Sequence, residues 1–167
     1  METGTPFLYY MTHGKRNRVA GHSYELEIAE AFRQAGFEHV VTSRSENRSR
    51  DAQKVDLVNK NEVKVGRLPY NIQCKNCVGK LPYQKLLSEM PKEDGIINVV
   101  LHKQTEKANT RFITRDKFAI LYQTDFLTMV SVLDKYKKAY QSMSDYFDSI
   151  PDDEKVAVHK ELQKLGL

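Results

Sequence analysis

Cysteine is scarce in this chain, with only Cys74 and Cys77 present. Two thiols give no disulfide framework and fit a reducing compartment. Their Cys-x-x-Cys spacing raises the idea of a zinc or redox site. Zinc would need two further ligands, however, and none of His13, His22, His39, His102 and His159 forms a spaced pair with another. Long apolar runs are also missing. Ile96–Leu101 is too short for anything but a buried strand, so no membrane span is expected. The amino terminus lacks the charged and apolar regions of a signal peptide, and the expected location is the cytoplasm. No internal repeat or low-complexity tract is evident.

What is present suits an ordinary globular protein. A chain of 167 residues can build one proper core and hardly two. The formal net charge of +4 is modest but uneven, because basic residues concentrate in His13–Arg18 and Arg44–Lys54. Such clusters suit a phosphate backbone, although a solvated basic loop explains them as well.

Apolar periodicity outlines the elements. Residues 1–20 show no clear period. From an N-cap at Ser23, the residues Glu25, Ile28, Ala29, Phe32 and Ala35 recur at helical spacing, and Gly36 stops the helix. His39–Thr42 reads as a short strand and the polar stretch Ser43–Gln53 as a loop. Lys54–Val58 and Tyr70–Lys75 read as strands joined by a hairpin connection over Asn59–Pro69, with Glu62–Val65 able to prolong a strand. Pro82–Met90 reads as a helix, Ile96–Leu101 as a strand covered on both faces, and Phe118–Tyr122 as a further strand. From an N-cap at Thr124, bulky residues run from Phe126 to Ile150 at alternating spacings of three and four, the seam of a long helix or short coiled coil. Pro151 interrupts it, and a last helix carrying Val156, Leu162 and Leu165 closes at Gly166. The expected class is α/β, a central mixed sheet flanked by helices, with residues 1–125 as the core and 126–167 as a helical extension of the same domain.

Chemistry gathers on the two middle strands. Residues two apart in a strand share a face, so Gln73 and Lys75 are expected to point together, with Asp56 joining them if the strands pair in register. Aspartate is depleted within strands, which makes Asp56 between Val55 and Leu57 conspicuous. Glu25 lies on the apolar stripe of the first helix and should point inward, where an unpaired carboxylate is costly. It could also simply favour the helix dipole, and a polar strand face is usually just solvated. A divalent cation held by Asp56, the Gln73 side-chain oxygen and Glu25 would supply the missing partner. Oxygen ligands of this kind favour Mg²⁺. Such an ion activates water against a phosphodiester, and Lys75 would orient that water or stabilise the developing charge.

The run Gly21-His-Ser-Tyr-Glu25, the helix end Ala35-Gly36-Phe37 and the strand Val40-Val41 resemble the opening of the archaeal-type Holliday-junction resolvases. These belong to the PD-(D/E)xK nuclease superfamily. Val55-Asp56-Leu57 and Ile72-Gln73-Cys74-Lys75 resemble that family's second and third motifs, and the likeness covers roughly residues 15–125. It implies a restriction-endonuclease-like fold and a Mg²⁺-dependent endonuclease acting on DNA, with Mn²⁺ able to substitute. Glu25, Asp56, Gln73 and Lys75 would be catalytic, the first three as metal ligands. One departure stands out: the resolvases carry Glu where this chain has Gln73, whereas Mrr-type endonucleases are similar to it in having Gln-x-Lys. A serine near the scissile phosphate is matched by Ser43 or Ser45. Arg16, Arg18, Arg44, Ser45, Arg48, Arg50 and Lys54 form the expected DNA surface. Cutting a branched junction symmetrically favours a homodimer, with the Phe126–Ile150 seam as a contact or else folded back on the protein's own sheet. A restriction or repair endonuclease, or a DNA-binding protein that has lost catalysis, are the alternatives.

Overall fold

The computed structural model describes residues 13–60, 68–152, 154–156, 158 and 160. It divides into two compact units, Met1–Tyr122 and Gln123–Leu167. The first is a mixed α/β unit. Its elements are α1 (His13–Gln34), β1 (Val40–Thr42), α2 (Ser43–Glu46), α3 (Arg48–Ala52), β2 (Leu57–Asn59), β3 (Tyr70–Val78), α4 (Tyr83–Glu89), β4 (Ile97–Ala108) and β5 (Arg111–Ile120). The second unit holds α5 (Gln123–Ser149) and further helical residues after Pro151.

α1 begins ten residues before the expected N-cap, and Ser23 lies exposed in mid-helix. Asn17–Ala20 are exposed, so no core contact writes a period into this part of the sequence. The other end is as the sequence implies. Gly36 adopts φ 98°, a left-handed conformation that only glycine takes without strain. The Phe37 amide then donates to the Phe32 carbonyl and the Gly36 amide to Arg33, the paired bonds of a Schellman cap. The Phe32 and Phe37 rings seal it edge to face at 5.9 Å.

Ser43–Gln53 is not a loop but two short helices. Asn47 accepts a bond from the Arg50 amide and so caps α3, while Ser45 Oγ donates to the Thr42 carbonyl. These polar side chains serve the backbone locally, which a reading of hydrophilicity takes for a loop. Lys54 at φ 64° turns the chain out of α3, and regular strand pairing starts only at Leu57, later than Lys54. Asp56 therefore precedes β2 instead of lying within it.

β1 and β2 pair antiparallel in a small sheet. β3, β4 and β5 form a three-stranded mixed sheet in that order: β3 and β4 run parallel, linked through α4, and β4 and β5 run antiparallel. The expected connection at Glu62–Val65 falls outside the described residues, as do Leu162, Leu165 and Gly166 of the expected last helix. Tyr24 and Ala29 of α1 pack with Val40, Leu57, Ile72, Cys74 and Val99 on one face of the larger sheet. On the other face, Leu87 and Met90 pack on Val100. Neighbouring Val99 and Val100 thus enter different clusters, and β4 is covered on both faces there. No helix among the described residues is long and apolar enough to cross a membrane.

Candidate active site

The free edge of β3 creates the site. β4 pairs with one edge of β3, and on the other the backbone of Asp56 takes over: its amide donates to the Ile72 carbonyl at 2.7 Å. The Asp56 carbonyl accepts from the Ser43 amide at 2.8 Å, and Oδ2 accepts from the Cys74 amide at 2.7 Å. Three bonds, one of them to the carboxylate, fix Asp56 between α2 and β3. It is 8% exposed. Burial raises its pKa; the Cys74 amide and Lys75 oppose that rise, and the nearby negative charge of Glu25 adds to it.

Glu25 reaches the same place from α1 and is 3% exposed. Its Oε1 meets Arg44 Nη2 at 3.0 Å, and its Oε2 meets His22 Nδ1 at 3.3 Å. The partner demanded by an inward carboxylate is therefore present within the protein. Arg44, expected on the DNA surface, supplies it and also approaches Asp51 at 3.6 Å. Glu25 and Arg44 are nineteen positions apart, and no spacing rule joins them.

Glu25, Arg44, Asp56 and Lys75 line one cleft of about 290 Å³, together with Arg18 and Asn76. Gly21, one turn before Glu25, lies on its wall. Asn76, which the sequence reading passed over, donates to the Ala20 carbonyl at 3.1 Å and ties the end of β3 to α1. The motif residues Glu25, Asp56 and Lys75 are thus brought together, two carboxylates and an amine with two arginines around them.

Gln73 is different. It is 1% exposed and does not line this cleft. It pairs in register with Val100, which packs against α4. Its Oε1 is buried without a hydrogen-bond partner, a state that usually signals a missing water or ion. Among the described residues, no three His, Cys, Asp or Glu side chains gather as a metal cluster. The oxygen donors that fit a hard divalent cation are the carboxylates of Glu25 and Asp56, with the orphaned Gln73 amide oxygen as the third candidate.

The basic residues divide by environment. Arg18, Arg48 and Lys54 are exposed, and Arg18 faces the cleft. The side chain of Arg16 lies outside the described residues. Ser45 is engaged with Thr42, while Ser43 is buried. Arg50 is held inward: Nη1 donates to Glu93 at 2.7 Å and Nη2 to Asn71 Oδ1 at 2.8 Å. Asn71 is itself buried and donates to Asn98 Oδ1 at 3.0 Å. Arg50 thus clamps α3 to the larger sheet and is not a free phosphate ligand. Arg50→Ala is expected to lower unfolding stability by about 2 kcal/mol, because Asn71 loses a charged donor in a buried setting. Urea titration measures this, and a loss below a few tenths of a kcal/mol would contradict the clamp.

Cys74 serves the site through its amide, but neither cysteine thiol is activated. Burial pushes both thiols above their ordinary pKa, which disfavours the reactive thiolate. Cys77 Sγ lies 3.5 Å from Nε2 of buried His102, whose Nδ1 contacts the Tyr83 hydroxyl at 2.9 Å.

No protein-family model matches the chain, and no curated protein or solved structure is significantly similar to it.

Proposed function

We propose that this protein is a Mg²⁺-dependent DNA endonuclease of PD-(D/E)xK type, most like the Holliday-junction resolvases in its motif order. The observation that carries this reading is the meeting of Glu25, Asp56 and Lys75, distant in sequence, on one cleft edged by Arg18 and Arg44. Asp56 and Glu25 would hold the cation, with Mn²⁺ able to substitute, and Gln73 would offer its amide oxygen. A bound divalent ion polarises a phosphodiester and lowers the pKa of a coordinated water. Lys75, beside Asp56 at the strand edge, would stabilise negative charge on the phosphate oxygens. Arg18 would hold the backbone at the edge of the cleft, while Arg44 is engaged by Glu25 and Asp51. The Cys74 amide and the two backbone bonds of Asp56 would keep its carboxylate in place as charge develops.

Cleavage of a four-way junction beside matched duplex and single strands, in Mg²⁺, Mn²⁺ and EDTA, tests this. The expected outcome is cutting of the junction in either metal and none in EDTA. Equal cutting of linear duplex would favour a restriction or repair endonuclease of the same superfamily. A second reading, a DNA-binding protein without catalysis, is favoured by the Glu25–Arg44 ion pair and by the position of Gln73 outside the cleft. It predicts binding without cleavage in any metal.

DNA contact itself has a separate signature. Replacing Arg18 and Arg48 together with Ala should weaken binding to every DNA form and flatten the salt dependence by up to about two contacts' worth. Titrations at several salt concentrations measure the slope, and an unchanged slope would remove these residues from the DNA surface.

A further inference from the structure

The ion pair between Glu25 and Arg44 is asymmetric. Glu25 is 3% exposed, so its carboxylate has little access to water and needs a positive partner at all times. The Arg44 side chain is 44% exposed, and a guanidinium so placed gains little from an acid beside it. The buried acid therefore depends on a cation, whereas the arginine does not depend on that acid.

Arg44 also has a second acid within reach. Its Nε lies 3.6 Å from Oδ1 of Asp51 on α3, whose side chain is 40% exposed. One guanidinium thus stands between a buried carboxylate and a solvated one, and a side-chain rotation is enough to favour either. Its helix belongs to the site: α2 begins at Ser43, whose amide donates to the Asp56 carbonyl. Both oxygens of Glu25 are already met from within the protein, Oε1 by Arg44 at 3.0 Å and Oε2 by His22 at 3.3 Å. A metal ion taking either oxygen would face the guanidinium across one small carboxylate, and like charges that close repel. The ion and Arg44 cannot both be well placed on Glu25.

We propose that Arg44 stands in for the cation on Glu25 in the free protein, and that a divalent ion takes Glu25 by driving the guanidinium across to Asp51. The inference rests on the reading of this cleft as a cation site. Arg44 is then a positioning residue. It keeps the buried carboxylate paired until metal arrives and raises the concentration of metal needed to load the cleft.

Calorimetric titration of the full chain with Mg²⁺, in the absence of DNA, tests the exchange. Arg44→Gln should bind Mg²⁺ at least about tenfold more tightly than wild type, because the ion restores the partner that the buried carboxylate has lost. Adding Glu25→Gln to this variant should abolish the gain. Arg18→Gln removes an equal charge from the same cleft, and Arg18 is exposed. It should change the affinity by less than about threefold, since an exposed charge is screened at ordinary salt. Should Arg44→Gln not fold in metal-free buffer, Mg²⁺ should fold it, as followed by circular dichroism; failure to fold at any Mg²⁺ concentration would overturn the proposal. Equal Mg²⁺ affinity in wild type and Arg44→Gln, or an equal gain from Arg18→Gln, would overturn the exchange and leave the cation reading standing. Binding by Arg44→Gln alone would support the exchange and favour a wild type without catalysis. No binding by either protein would overturn both.

Discussion

Asp56→Asn is expected to melt at a higher temperature than the wild type in the absence of metal, while cleavage falls by on the order of 10³-fold. The two effects share a cause. Asn keeps an oxygen to accept the Cys74 amide bond, so the packing at the strand edge survives. What disappears is a buried negative charge beside Glu25, whose cost appears as the raised pKa of Asp56. The sign follows from linkage. Below the unfolded-state value near 4, the carboxyl is protonated in both states and the two proteins should differ little. As pH rises, the unfolded chain ionises first and the native state is penalised; above the native pKa the penalty is complete. The gap between the melting curves should therefore open between acidic and neutral pH. In a chain of this size each kcal/mol relieved moves the midpoint by about 2–4 °C. Divalent metal should narrow the gap by stabilising the wild type alone. Melting at several pH values, with and without Mg²⁺, checks all three statements. An unchanged cleavage rate would remove Asp56 from the active site, and a lower midpoint at neutral pH would show that its charge is not a burden.

Gln73→Glu should behave in the opposite sense. Residues of the resolvase type carry Glu at this place, and on motif alone the change restores a ligand. The structure makes it costly first, because the side chain is fully buried and its Oε1 already lacks a partner. An ionised Glu there, without metal, is expected to cost about 3 kcal/mol of stability. If Gln73 reaches the cation, Mg²⁺ should restore the melting midpoint of the variant by more than it raises that of the wild type. If it does not, the variant stays destabilised at every metal concentration, and Gln73 is a core residue. Gln73→Met, close in volume and without the orphaned oxygen, provides the contrast. It should be at least as stable as wild type and, where the amide is a ligand, bind Mg²⁺ more weakly in calorimetry.

Strand alternation placed Gln73 and Lys75 on one face of β3, but a face has depth. Lys75, two residues further along, lines the cleft, whereas Gln73 lies opposite Val100, which packs against α4. Periodicity located α4, α5 and the first part of β4, whose apolar residues recur over several turns or form a continuous run. It ended β4 at Leu101 instead of Ala108, however, and began β5 at Phe118 instead of Arg111. It missed the first ten residues of α1, where exposed positions leave no pattern. It also missed α2 and α3, short helices whose side chains are mostly exposed and leave no apolar period, with Asn47 capping the second. The arginines were the least legible. Charge density marked Arg44–Lys54 as a basic stretch, yet Arg44 answers Glu25 and Arg50 answers Glu93 and Asn71. Whether an arginine faces solvent or an acid of its own protein depends on tertiary packing, which no local pattern records.

The backbone of Asp56 joins the two sheets, and this has a consequence for hydrogen exchange. The amides of Ser43, Asp56 and Cys74 are all protected by bonds to or from this one residue. Those of Asp56 and Cys74 should therefore lose protection in a single opening event, when the small β1–β2 sheet parts from β3. The Ser43 bond lies on the small sheet's own side of that break and should outlast it. The β4 amides, held between two neighbouring strands, should outlast them. The two-stranded tip around Asn109, beyond the last β3 pairing at Thr105, should exchange sooner. The free energy of that one opening would then set how often the cleft comes apart in the folded protein.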